Sequence, residues 1–75
     1  PMNAQDMRSL IDGLTQDIDF EYRGKRGAIC PFSRTDISLC YDRTEISVDS
    51  VDKAMNTPFI SGQTLADVCT DLKID

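Results

Sequence analysis

Residues 17–22 read Asp-Ile-Asp-Phe-Glu-Tyr, an unbroken alternation of acid and hydrophobe. Successive side chains of an extended strand point to opposite faces. Ile18, Phe20 and Tyr22 therefore share one face, and Asp17, Asp19 and Glu21 share the other. The apolar row needs a core to cover it, while the acidic row must stay in water or meet a cation. This hexapeptide sets which way the domain is built, and it holds the chain's most concentrated surface chemistry.

The length limits what can be built on that strand. Seventy-five residues with 40% hydrophobic content make one domain, residues 1–75, with a thin core layer and no room for a deep substrate cavity. At about 25 cal/mol per Å² the burial nearly cancels chain entropy at this size, so self-association adds stability and a homodimer is within reach. Pro1 ahead of Met2 reads as a residue left by an expression tag, with Met2 the natural start. No signal peptide is recognisable and no apolar run approaches membrane-spanning length, so no membrane contact is expected.

Net charge is -5, from 13 acidic and 8 basic residues, and eleven of the acids are aspartate, which favours caps, turns and exposed strand faces. A negative field opposes direct binding to nucleic acid or anionic lipid, and favours solubility or a basic protein partner. Cys30, Cys40 and Cys69 are an odd, widely spaced set without a C-x-x-C pair, and histidine is absent. That pattern predicts reduced thiols in a cytoplasm, with neither zinc nor another cofactor.

The remaining periodicities supply the rest of the fold. Asn3 is placed to cap a helix over residues 4–16, with Met7, Leu10, Ile11 and Leu14 as its apolar stripe and Thr15-Gln16-Asp17 leading out. Four strands then follow: residues 18–23, 28–32, 36–42 and 44–48. Gly24-Lys25-Arg26-Gly27 reads as the first turn, and Ser33-Arg34-Thr35 as the second. Ala28, Cys30 and Phe32 are expected on one apolar face, with Pro31 requiring an edge position or a bulge. Ile37, Leu39 and Tyr41 face inward on the third strand, and Ile46 and Val48 on the fourth. Ser50 or Asp49 caps a short helix over 51–57 that Pro58 stops. Phe59 and Ile60 pack the connection, and Gly62 permits a turn. Thr64 with Asp67 forms a capping box for a last helix carrying Leu65, Val68, Cys69 and Leu72. The expected fold is α+β: an N-terminal helix, a four-stranded antiparallel β-meander, and two C-terminal helices packed on one face of the sheet.

No constellation suited to catalysis stands out. Without histidine the usual base near neutral pH is missing, Cys30 and Cys69 fall on predicted apolar faces, and Cys40 lies on the open face beside Ser38. Gly24-Lys25-Arg26-Gly27 has neither the length nor the spacing of a phosphate-cradling loop. A non-enzymatic protein is expected. The candidate interaction surface comprises Asp17, Asp19, Glu21 and Glu45 on the outer sheet face, together with the Phe59-Ile60 loop, which either plugs the core or marks an interface. Arg23, Lys25 and Arg26 form a basic hairpin tip. Acids on one strand face repeat at about 6.6 Å, twice the rise per residue, so the row also has the spacing to imitate a nucleic-acid backbone in a basic groove.

The segments Phe20-x-Tyr22-x-Gly24-Lys25, Asp49-Ser50-Val51-Asp52 and Pro58-Phe59-Ile60-x-Gly62-x-Thr64-Leu65-x-Asp67 span most of the chain. In them the sequence resembles small uncharacterised proteins of bacterial genomes and their phages or mobile elements. The resemblance implies a bacterial cytoplasmic setting and an accessory role, and it carries over no activity and no residue role. The expectation is a small acidic protein-interaction module with a protein partner; the alternative is an acidic inhibitor that mimics nucleic acid.

Overall fold

In the computed structural model, which describes every residue except Thr15, the order is helix α1 (Ala4–Asp12), strands β1 (Ile18–Tyr22), β2 (Lys25–Ser33), β3 (Asp36–Tyr41) and β4 (Thr44–Val48), helices α2 (Val51–Asn56) and α3 (Leu65–Val68), a 3-10 turn (Cys69–Asp71), and strand β5 (Lys73–Ile74). The class is α+β with an N-terminal helix and an antiparallel sheet. The sheet has five strands rather than four, in the order β4-β3-β2-β1-β5. The fifth runs antiparallel to β1, pairing Ile74 with Phe20 and Lys73 with Glu21.

The alternation of β1 is realised as read. Ile18, Phe20 and Tyr22 are buried, whereas Asp19 is exposed and Glu21 half-buried. Ile29, Ile37, Leu39 and Tyr41 continue the inner face across β2 and β3. Met7 and Ile11 of α1, Ala54 and Met55 of α2, and Leu65 and Val68 of α3 cover it, together with Phe59, Ile60, Cys69 and Leu72. Two phenols brace the inner face: Tyr41 donates to the Tyr22 carbonyl at 2.7 Å within the sheet, and Tyr22 donates to Gln63 Oε1 at 3.1 Å in the connection between the last helices.

Strand β2 departs most from expectation. The β1–β2 turn is the pair Arg23-Gly24 with φ of 52° and 78°, so Tyr22 pairs directly with Lys25. Lys25 and Arg26 therefore belong to the strand, and Gly27 is no turn residue. Gly27 lies opposite Phe20 on the inner face, where a Cβ would meet the Phe20 Cζ at 2.3 Å and the Cys40 carbonyl oxygen at 2.6 Å. The strand phase follows from this: Gly27 and Ile29 point inward, Ala28 and Cys30 outward. The expected inward set of Ala28, Cys30 and Phe32 is thus inverted. Phe32 is 72% exposed, at a register shift between Pro31 and Ser33. β2 is a central strand, so the missing Pro31 N–H is accommodated by this bulge and not by an edge position.

The helices are shorter than the apolar periodicity suggested. Asn3 Oδ1 caps α1 by accepting from the Asp6 N–H at 2.8 Å. The helix stops at Asp12 because Leu14 takes φ 55°, which removes Leu14 from the expected stripe; Thr15 lies outside the described residues. Arg34, in the β2–β3 turn, closes this end with hydrogen bonds to the Asp12 carboxylate and carbonyl, a cation where the helix dipole favours one. Ser50 caps α2, and Thr64 with Asp67 forms the full capping box of α3. The periodic run after α3 does not stay α-helical: it tightens into the 3-10 turn and then extends to reach β1.

Candidate functional site

All the helices lie against the inner face, so the outer face of the sheet is uncovered among the described residues. The strand registers give its composition row by row. One row runs Asp19, Ala28, Cys40 and Glu45 from β1 to β4. A second joins Cys30, Ser38 and Ser47. A third places Glu21 between Lys73 and Arg26. The centre of the face is therefore built from small, neutral side chains (Ala28, Cys30, Ser38 and Cys40), with carboxylates towards both sides.

Asp17, Asp19, Glu21 and Glu45 do share this face. They do not form one continuous negative field. Glu21 has a cation directly opposite on each neighbouring strand, and Arg26 also pairs with Asp75. Glu45 stands on β4, with two strands between it and the β1 acids, and accepts a hydrogen bond at 3.2 Å from Ser38 Oγ, a buried polar side chain of the outer face. Asp17 and Asp19 are exposed, with Asp17 against the Cys30 thiol. Burial, followed by the charge of Asp17, pushes the Cys30 thiol up from its ordinary range, so it stays protonated and a poor nucleophile. Cys40 is half-buried beside Ser38, as expected, whereas Cys30 lies on this face too and not in the core.

The other expected site residues separate. Phe59 and Ile60 are 4% and 0% exposed, so this loop plugs the core and offers no interface. The basic tip dissolves into three different environments. Arg23 alone occupies the turn, its guanidinium 5.3 Å from the Tyr22 ring centre. Lys25 reaches Asp42 at 3.6 Å across the sheet end, and Arg26 lies on the outer face. An open depression of about 340 Å³ lies at the end of β4 among Thr35, Asp36, Ser47, Val48, Asp49 and Lys53. Among the described residues, no helix is long and apolar enough to cross a membrane. Among the described residues, no three cysteine or carboxylate side chains converge as a metal-ligand group.

Two features of this surface had no clear local signal. The exposure of Phe32 follows from the β2 phase, and the two cations beside Glu21 depend on that phase and on β5. Comparison with protein-family models, with curated proteins and with solved structures finds no match to this chain.

Proposed function

We propose that the chain is a non-enzymatic interaction module, in an accessory role, that docks a basic protein surface on the outer face of its sheet. The observation carrying this reading is that five strands present a face with no element over it, small side chains at its centre and carboxylates at its sides. A flat, low-relief centre lets a partner approach the backbone closely. Asp17, Asp19 and Glu45 then supply charge complementarity, and Phe32 supplies a large apolar side chain at the margin.

The test is affinity capture with the wild-type chain and with the triple variant Asp17→Asn, Asp19→Asn, Glu21→Gln. These substitutions touch exposed or half-buried side chains and leave the inner face intact. A protein held by the wild type and lost by the folded triple variant supports the reading. Equal retention by both removes the acidic face from it.

The 6.6 Å repeat of the β1 acids, about twice the rise per residue, also favours imitation of a nucleic-acid backbone. That second reading predicts a steep fall in target affinity between low and moderate salt. A shallow salt dependence leaves docking on a basic protein as the reading that stands.

A further inference from the structure

The two edges of the sheet are unlike each other. The β1 edge carries β5, only two residues long, in which Lys73 faces Glu21, and Asp75 just beyond it meets Arg26. The β4 edge is open for all of Thr44–Val48, with no proline, no lysine and no bulge. Such an edge presents unpaired N–H and C=O groups, and proteins ordinarily blunt it.

Geometry says which groups these are. Residues flanking a two-residue hairpin turn exchange both backbone hydrogen bonds, and Tyr41 and Thr44 flank the Asp42-Arg43 turn. Bonded pairs then alternate, so Thr44, Ile46 and Val48 direct their backbone towards β3. Glu45 and Ser47 direct theirs outward, to the open side. Ile46 and Val48 of this edge strand are also only partly buried against the core.

We infer that β4 is a self-pairing edge: a second copy of this chain docks antiparallel along it, joining the two five-stranded sheets across a two-fold axis at Ile46. The register follows from charge. Outward-directed residues must pair with outward-directed residues, which leaves three central registers. Centring on Glu45 sets that carboxylate against its own copy. Centring on Ser47 sets Glu45 against Asp49 twice. Centring on Ile46 sets Glu45 against Ser47 and Arg43 against Asp49, removes both repulsions, and brings Ile46 against Ile46 and Thr44 against Val48 on the inner face. Arg43 makes no ion pair within the chain among the described residues, whereas Asp49 already meets Lys53 at 3.0 Å at an exposed site. The pairing gives Arg43 a carboxylate and completes the cover of Ile46. It uses the edge of the sheet and leaves the outer face free, so it stands apart from the proposed docking of a basic partner.

Sedimentation equilibrium over about 10 µM to 1 mM tests this, in a range where an interface of this small size would show a measurable dissociation constant. The wild-type average mass is expected to rise from one chain towards two. Ser47→Pro removes an outward N–H without touching the β3 ladder and is expected to abolish the rise. Arg43→Glu, needed if the proline variant folds poorly, is expected to weaken association by at least about tenfold, because symmetry places the reversed pair twice. Combining it with Asp49→Arg restores opposite signs in the same register and is expected to recover the dimer. A wild type that stays monomeric throughout overturns the inference, as does a folded Ser47→Pro chain that associates like the wild type. Failure of the double variant to recover overturns the register.

Discussion

Replacing Gly27 by alanine adds one carbon at a crowded point between the strands and the core. Its Cβ would sit 2.3 Å from the Cζ and 2.7 Å from the Cε1 of Phe20, and 2.6 Å from the carbonyl oxygen of Cys40. The carbonyl is fixed by the β2–β3 ladder, and the Phe20 ring is held by stacking on Tyr41, centres 6.2 Å apart and planes at 6°. Neither obstacle is the free end of a flexible side chain. Overpacking usually costs 1–3 kcal/mol, and with a ring and a backbone atom both inside contact distance the expected loss is about 3 kcal/mol. A domain of 75 residues holds roughly 4–11 kcal/mol in all. The variant should therefore lose a large part of its stability, seen in urea as a midpoint lowered by about 2–3 M at an m-value near 1 kcal/mol per M.

Circular dichroism and tyrosine fluorescence follow the transition without any added probe. Phe20→Leu provides the second arm, because it removes the far edge of the ring and leaves the Cys40 carbonyl in place. In that background Gly27→Ala should cost at least about 1 kcal/mol less than in the wild type, a coupling that only residues in contact show. A single-variant loss below about 0.5 kcal/mol, or equal losses in both backgrounds, would refute the placement of the ring over Gly27.

Phe59→Ala distinguishes a core plug from an interface loop: truncating a ring buried to this depth is expected to cost about 3–4 kcal/mol by chemical denaturation, whereas a loss below about 0.5 kcal/mol would put the ring at the surface. The thiols predict a pH dependence. Burial raises both Cys30 and Cys69 above the ordinary value of 9.0, so near and above that pH the unfolded chain releases protons that the native chain keeps. Stability from this source is intact below pH 9 and falls as pH rises through it. Urea midpoints at about pH 8 and about pH 10 should show that fall, and the double variant Cys30→Ser, Cys69→Ala should flatten it; an unchanged slope would mean the thiols are not the cause.

Where local chemistry and strand periodicity agreed, the fold was legible from the residues. The β1 alternation, the Asn3, Ser50 and Thr64 caps, the Pro58 stop and the inward rows of β3 and β4 all follow from contacts within a few positions of each residue. The β2 phase was not, because two glycines bracket Lys25-Arg26 and either a four-residue turn or a two-residue turn at Arg23-Gly24 fits the composition. Only the opposing Phe20 decides between them, by needing a position without a side chain at Gly27. Phe32 then falls outward with Ala28 and Cys30, beside the bulge that Pro31 signalled. Strand β5 is two residues long and exists through its pairing with β1, some fifty positions earlier, while the apolar spacing of Leu65, Val68, Cys69 and Leu72 fits a continuous helix equally well. The acidic face was legible as a row of residues. Its cations were not, since both Arg26 and Lys73 reach it through those same two misread elements.

Those cations bear on the proposed docking of a partner on this face. A nucleic-acid mimic needs a line of charge that stays unneutralised along its length, because affinity for a basic groove grows with the number of ion contacts formed together. Here one end of the line is neutralised: Glu21 is flanked by Lys73 and Arg26, and Arg26 is itself held by Asp75. What remains free is Asp17 and Asp19 at one side and Glu45 at the other, separated by Ala28 and Cys40. Discrete charges around a neutral centre suit a partner that brings a few well-placed basic side chains and covers the small residues between them. The physical arrangement thus favours a shaped protein surface over an extended groove, and a shallow salt dependence over a steep one.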